Sequence, residues 1–384
     1  GLIAAIFEGT SLITTTGASA YEGAYEEMRA LAFWRAFVGW TGGFLAICLT
    51  LSILMALNSG GLQLHRSPLP FGDSETGYPR LKAVAQAIAP LYLLMTLLCC
   101  AALMLLGEPF FVALQLAMST ISTSGIVPQG HSAIGGTGVQ LVLAVFMIVA
   151  VLNWDVLRAR ALKTNMKHPH GTETRSLFVV LAIGTALLVV FAFPLDGQGL
   201  WQAIFTAISA VSTTGYVPAD LKFSGSGVSA AAIIFAVLAC IGGSVASSSG
   251  GLKQLRITVL YMLTRREIDR LAHPHGVKSL KYQGFSIEKR DVAAIWLLLG
   301  AFVLTLVFGS LCFAILGVDF HSAIAMAVSA LTLSGPLIAL LDPYFSGFSG
   351  LTDADYGVLT VLMLLGRVEA SIFFAMLARS FWRG

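Results

Sequence analysis

The chain has 384 residues, 57% hydrophobic and 11% charged, with a formal net charge of +3 and a mean hydropathy of +0.83. A soluble domain carries about 25% charged residues, so the composition excludes an ordinary soluble enzyme, and the small net charge gives no footprint for nucleic acid. Apolar runs of roughly 20 residues, the length that crosses a bilayer, recur from end to end. The reading is an all-α polytopic membrane protein. Cys48, Cys99, Cys100, Cys240 and Cys312 all lie inside apolar runs without metal-ligand spacing, and read as buried packing residues.

In chain order, the elements fall into one pattern used four times: helix, short helix, hydroxyl-glycine loop, helix. Repeat 1 (1–60) has a short helix over 2–13, a loop, and a spanning helix over 31–57; a leading helix is expected ahead of Gly1. Repeat 2 (78–165) has a spanning helix over 81–107, a break at Gly107-Glu108-Pro109, and a helix over 109–121 too short to span. Its loop is 122–128, and a second spanning helix runs from about Gly138 to Arg160. Repeat 3 (174–265) reads as 175–193, 199–211, 212–218 and 227–264, the last interrupted midway. After a polar linker (266–289), repeat 4 (290–384) reads as 290–316, 320–331, 332–336 and 356–380.

The loops match residue by residue when aligned on Gly17, Gly125, Gly215 and Gly335. One position earlier stand Thr16, Ser124, Thr214 and Ser334; two earlier, Thr15, Thr123, Thr213 and Leu333; three earlier, Thr14, Ser122, Ser212 and Thr332; six earlier, Ser11, Ser119, Ser209 and Ser329. Non-helical backbone inside a bilayer is tolerated only where protein buries it or water lines it. Four such loops around one axis can turn backbone carbonyls inward and replace an ion's water shell. Glycine permits the necessary twist, hydroxyls brace the loop, and the C-terminal ends of the short helices add partial negative charge. Carbonyl and hydroxyl oxygen without a carboxylate ring suits a monovalent cation. The competing reading is small-residue helix packing, which does not account for a register matched at four sites.

Nearly all Lys and Arg lie on the side away from these loops; Arg29, Arg35 and Lys222 are on the loop side and Arg367 lies within the membrane. The loops therefore face outward. Outer segments carry Glu22, Glu26, Glu27, Asp220, Asp342, Asp353 and Asp355, an acidic mouth that would concentrate cations, or simply solvated loop acids.

The four degenerate phrases in one chain resemble the Trk/Ktr/HKT superfamily, and within it the TrkH-type potassium-uptake subunits. The resemblance covers essentially the whole chain. It implies four K⁺-channel-like helix–pore loop–helix repeats around one pore, the first truncated, and K⁺ uptake across a bacterial inner membrane. It also implies K⁺ as the transported ion at the filter carbonyls, no organic cofactor, a homodimer, and a cytosolic ring of nucleotide-sensing subunits. In that family four filter glycines accompany potassium preference. Here the fourth loop departs, with Leu333 in place of Thr and Pro336 after the glycine, which weakens one side of the ring. A Na⁺-permeant or poorly selective pathway of the same fold is the alternative.

Two elements occur only once. GGSVASSSGG, Gly242 to Gly251, cannot sustain a good helix; the resemblance implies an intramembrane gate at Gly242, Gly243, Ser247, Ser248, Ser249, Gly250 and Gly251. Arg367, in LLGRVEASIFF, is an intramembrane charge and hence a functional candidate. Glu369, two residues on, does not share its helix face, so Arg367 is expected to point at the pore or at the 242–251 carbonyls. The basic 264–290 segment fits anionic lipid or a regulator. The triplets His168-Pro169-His170 and His273-Pro274-His275 read as turns rather than metal tracts. A membrane-embedded enzyme lacks a visible nucleophile, base or metal cluster, and a coupled transporter of inverted repeats does not match four repeats in the same direction.

Overall fold

The computed structural model describes residues 1–21, 28–57, 78–128, 134–162, 171–223, 227–273, 281–282, 285–286, 289–342 and 344–368. Glu22, Glu26, Glu27, the first His-Pro-His triplet, Glu369 and, in the polar linker, residues 274–280 (with Pro274 and His275), 283–284 and 287–288 lie outside these residues. Among the described residues the regular elements are helices, apart from a two-residue antiparallel pair, Lys281–Tyr282 with Phe285–Ser286.

Repeat 1 contributes α1 (Leu2–Ile13) and α2 (Arg29–Leu57). Repeat 2 contributes α3 (Tyr78–Leu105), α4 (Phe110–Ser122), α5 (Thr137–Val151) and α6 (Trp154–Ala161). Repeat 3 contributes α7 (Gly171–Phe191), α8 (Gly197–Val211), α9 (Gly227–Ile241) and α10 (Gln254–Ala272). Repeat 4 contributes α11 (Lys289–Ile315), α12 (Phe320–Leu331), a single turn α13 (Ile338–Leu341) and α14 (Asp353–Val368). Among the described residues, Arg29–Ser52, Pro79–Leu105, Glu173–Phe191 and Val292–Ile315 are long and apolar enough to span a membrane.

Local sequence explains how the chain enters α4, α8 and α12. Gly107 and Gly317 adopt φ of 93° and 92°, where glycine carries no Cβ penalty. They end α3 and α11 alike: Glu108 N–H donates to Leu103 O at 3.2 Å and Val318 N–H to Phe313 O at 3.1 Å. Asp196 and Asp319 then cap α8 and α12, accepting from Gly199 N–H at 2.5 Å and His321 N–H at 3.1 Å.

The helices close into a ring. Each short helix packs on the main helix that follows the glycine loop of the preceding repeat: α4 on α2, α8 on α5, α12 on α9, and α1 on α14. The final contact seals the ring through Phe7, whose ring lies 4.8 Å from that of Tyr356 and 6.1 Å from that of Phe348. The C-terminal halves of α4, α8 and α12 are almost wholly buried, whereas the spanning helices leave much of their apolar surface outside. That arrangement suits a lipid surround and a polar centre. Small residues permit the close approach: a Cβ on Gly43 of α2 would fall 2.7 Å from Ser122 Cβ and 2.8 Å from Ser122 Cα on α4.

One expectation is corrected. The spanning helix expected from Gly138 to Arg160 is two helices, α5 and α6, bent by 99° at Leu152-Asn153. Asn153 caps α6 with its side-chain oxygen, which accepts from Asp155 N–H at 3.1 Å and Val156 N–H at 3.4 Å. The backbone groups freed at the break bond to a distant loop: Ser244 N–H donates to Val151 O at 3.1 Å, and Trp154 N–H to Ala246 O at 2.9 Å.

Gly43→Val should push α2 off α4 and destabilise the fold by about 1–3 kcal/mol, read as earlier thermal unfolding of the detergent-solubilised protein. Gly9→Ala, where an added Cβ meets nothing within 4 Å, should not lower the transition.

Candidate ion pathway

The four loops share one backbone. The residue two before each glycine is left-handed: Thr15 at φ 61°, Thr123 and Thr213 at 56°, Leu333 at 59°. Such a conformation costs a non-glycine residue about 1–2 kcal/mol, and strain of this kind collects at functional sites. It is held by the same two bonds each time. The left-handed residue donates its N–H to a carbonyl three residues back, at 3.1, 3.2, 3.0 and 3.2 Å in Thr15, Thr123, Thr213 and Leu333. The next residue donates to the serine carbonyl five back: Thr16 to Ser11 at 2.8 Å, Ser124 to Ser119 at 3.0 Å, Thr214 to Ser209 at 3.1 Å, Ser334 to Ser329 at 2.9 Å.

The hydroxyls brace these turns. Ser11 Oγ donates to Ala18 O at 2.6 Å, Ser209 Oγ to Tyr216 O at 2.8 Å, and Ser329 Oγ to Ser334 O at 3.1 Å. Within the loops, Thr14 bonds Thr16 at 2.9 Å, Ser122 bonds Ser124 at 3.1 Å, and Ser212 bonds Thr214 at 2.8 Å, oxygen to oxygen. The fourth loop differs. Thr332 Oγ1 donates to Val328 O at 2.8 Å, as Thr14 Oγ1 does to Thr10 O at 2.7 Å, but the bond from this position to the next hydroxyl is missing, and Ser334 Oγ has no partner among the described residues.

The glycines meet in cyclic order. A Cβ on Gly17 would lie 1.8 Å from Ser124 O, and one on Gly125 1.9 Å from Thr214 O. At Gly215 it would meet Leu337 N at 2.6 Å, and at Gly335 it would meet Thr16 O at 2.6 Å. So loop 1 abuts loop 2, loop 2 abuts loop 3, loop 3 abuts loop 4, and loop 4 returns to loop 1. Gly17, Gly125 and Gly215 are left-handed at φ 76°, 67° and 77°. Gly335 instead opens a 3₁₀ turn, Gly335–Leu337, with Pro336 in its first turn. Its N–H donates to Thr16 O at 2.7 Å, so one carbonyl of loop 1 is already bound by protein.

The 242–251 segment lies against this ring. It separates α9 from α10, is almost wholly buried, and turns on Gly242 (φ 67°) and Gly251 (φ 77°). Gly250 N–H donates to Thr213 Oγ1 at 2.9 Å, and Ser248 Oγ donates to Ile121 O at 3.2 Å. A Cβ on Gly250 would strike Thr332 O at 2.0 Å. Arg367 joins the two parts: Nη1 donates to Ser248 O at 2.9 Å and Nη2 to Thr15 Oγ1 at 2.8 Å. The left-handed ring therefore meets the loop or Arg367 through Thr15, Thr213 and Leu333, while Thr123 Oγ1 has no partner among the described residues. Gly243, Ser247 and Ser249 bond within the segment: Gly243 N–H donates to Ser249 Oγ at 3.1 Å and Ser247 Oγ to Ser244 O at 2.6 Å.

Several polar residues of this region are not evident from the motifs. Lys253, buried and left-handed at φ 73°, donates its Nζ to Ser249 O and, at 3.3 Å, to Ser247 O. Gln254 Nε2 donates to Gly242 O at 3.2 Å. A lysine two residues after Gly251, at membrane depth, is the one local signal that could have marked them. Two of the expected outer acids are structural. Asp342 accepts from Ser322 Oγ at 2.5 Å and Tyr344 N–H at 3.0 Å, and Asp355 accepts from Thr352 Oγ1 at 2.7 Å; both are buried. Asp353 remains exposed.

The chain is similar to known proteins over almost its whole length. The family model TrkH, described as a cation transport protein, matches residues 1–380. The Trk system potassium uptake protein TrkH of Salmonella typhimurium is 30% identical over 393 residues, covering 99% of this chain and 79% of that protein. Its Vibrio parahaemolyticus counterpart is 31% identical over 398 residues with the same coverage. The crystal structure of the potassium transporter TrkH from Vibrio parahaemolyticus superposes with a TM-score of 0.83 at 27% identity, over 100% of this chain and 80% of that one. With a matching family model over almost its entire length and a ring of four loops at its centre, the chain belongs to the TrkH family of cation transport proteins.

Proposed function

We propose that the protein carries K⁺ across a bacterial inner membrane, inward under the membrane potential, through the ring of loops 1 to 4. The observation that carries this reading is the repeated loop backbone, with a left-handed residue and a braced turn at the same position in all four copies. The filter residues are Thr14 to Gly17, Ser122 to Gly125, Ser212 to Gly215 and Thr332 to Gly335. K⁺ sheds water there and is held by backbone carbonyls. Relatives named for potassium uptake support the choice of ion.

The 242–251 loop and Arg367 act as the gate on the intracellular side. A guanidinium bonded to Thr15 opposes a second cation nearby, because charges a few Å apart interact strongly where water is scarce. For K⁺ to pass, the loop and Arg367 must leave Thr15 and Thr213. The regulator is a cytosolic nucleotide-sensing ring acting on the basic linker, and the working unit is a homodimer; both follow from the family resemblance. A second reading, a poorly selective monovalent pathway, draws on one observation: Gly335 N–H occupies the Thr16 carbonyl, leaving loop 4 the weak side of the ring.

Purified protein in liposomes should move K⁺ faster than Na⁺ under equal gradients; equal rates would favour the second reading. Deletion of residues 243–250 should raise K⁺ flux, and an unchanged flux would remove the gate assignment. Gly125→Ala places a Cβ 1.9 Å from Thr214 O and should lower K⁺ flux by about tenfold or more, equivalent to roughly 1.4 kcal/mol. Flux assays on folded, monodisperse protein check this.

A further inference from the structure

The loop is also held from behind. Its backbone pairs with the α5–α6 break through Ser244 N–H to Val151 O and Trp154 N–H to Ala246 O. Between these bonds sits one buried carboxylate, Glu173, in the first turn of α7. Its Oε1 accepts from Val245 N–H at 2.8 Å, and its Oε2 accepts from Asn153 Nδ2 at 3.2 Å. The Asn153 side-chain oxygen is already committed to capping α6, so its amide nitrogen is the half left to bond Glu173.

A buried carboxylate is costly unless donors surround it. The α7 N-terminus supplies part of the compensation. The two hydrogen bonds come from the loop and from the break, not from α7 itself. When the loop withdraws, Val245 N–H leaves and the carboxylate loses a charge-assisted bond. We propose that Glu173 is a positioning residue, a latch that favours the closed loop and joins it to the α5–α6 break, so that the break in repeat 2 is the second half of the gate. This rests on reading 242–251 as the gate. The bend then has a purpose: α6 leaves the break at 99° and is fastened to α3, where Arg158 Nε donates to Ala87 O at 3.0 Å. A displacement of α6 would be felt directly at Ala246 and, through Asn153 and Glu173, at Val245.

The test uses the whole protein in liposomes, with K⁺ flux, the K⁺ to Na⁺ ratio and monodispersity measured for E173A, E173Q, N153D, the double variant N153D/E173Q, and the 243–250 deletion. E173A and N153D should raise K⁺ flux by about tenfold, the shift expected from one charge-assisted hydrogen bond, with the ion ratio unchanged. N153D sets two carboxylates face to face. E173Q alone opposes two amide nitrogens and should leak to an intermediate degree. In N153D/E173Q the Gln nitrogen donates to the new Asp while the Gln oxygen still accepts from Val245, so flux should return towards the wild-type value. A residue that merely supports the fold would lower yield or alter the ion ratio and would not be rescued. If the deletion raises flux but E173A does not, the latch is wrong and the gate stands. Should E173A fail to fold, a double variant that leaks as much as N153D overturns the latch. If the deletion leaves flux unchanged, the gate reading itself falls.

Discussion

A peptide group at membrane depth has no water to bond to, so each departure from helix must bring its own partners. Among the described residues, the departures from helix inside the bundle include the four loops, the 242–251 insertion and the bend at Asn153, and their partners can be traced. In the loops, the carbonyl of the serine six before the glycine takes the N–H of the residue just before it, four times over. At the bend, Val151 and Trp154 bond Ser244 and Ala246 of the insertion. The ring, the 242–251 insertion and the break are therefore one hydrogen-bonded assembly, in which each irregular piece satisfies another. Strain is held in place by the same bonds. Thr and Leu in the left-handed region are unfavourable in isolation, and here they are fixed by the helix end before them and the neighbouring loop beside them.

Ancestry is fourfold, but the bonding is not. Thr15 is engaged by Arg367, Thr213 by Gly250, Leu333 has no hydroxyl, and Thr123 is left without a protein partner among the described residues. Loop 4 keeps the left-handed turn despite Leu333, and departs only after Ser334, where Pro336 turns the chain into a 3₁₀ segment. Backbone geometry is thus retained where the side chain has changed. Carbonyl availability changes where the side chains after the glycine differ.

Much of this was legible because the relevant information is local. The hydroxyl and glycine register falls within seven residues in each repeat, and the break at Gly107-Glu108-Pro109 is written in turn chemistry. The bend at Asn153 was not legible, because Val139 to Leu152 reads as continuous apolar helix and what breaks it is a loop about 90 residues further along the chain. Glu173 hid for the same reason: near a helix start a carboxylate is ordinary, and only the fold shows Val245 and Asn153 converging on it. The left-handed ring was invisible because neither Thr nor Leu signals positive φ. Asp342 and Asp355 looked like part of an acidic mouth and proved to be capping groups, since composition cannot distinguish a solvated acid from a hydrogen-bonded one.

The central claim is that the four glycine loops form one cation site along a shared axis. An anomalous difference map from crystals grown with Rb⁺ or Tl⁺ in place of K⁺ tests it most directly. The account predicts peaks on the axis between Gly17, Gly125, Gly215 and Gly335, and none at the 242–251 loop beside Arg367. A ring without peaks, or density confined to the outer acidic residues, would contradict it.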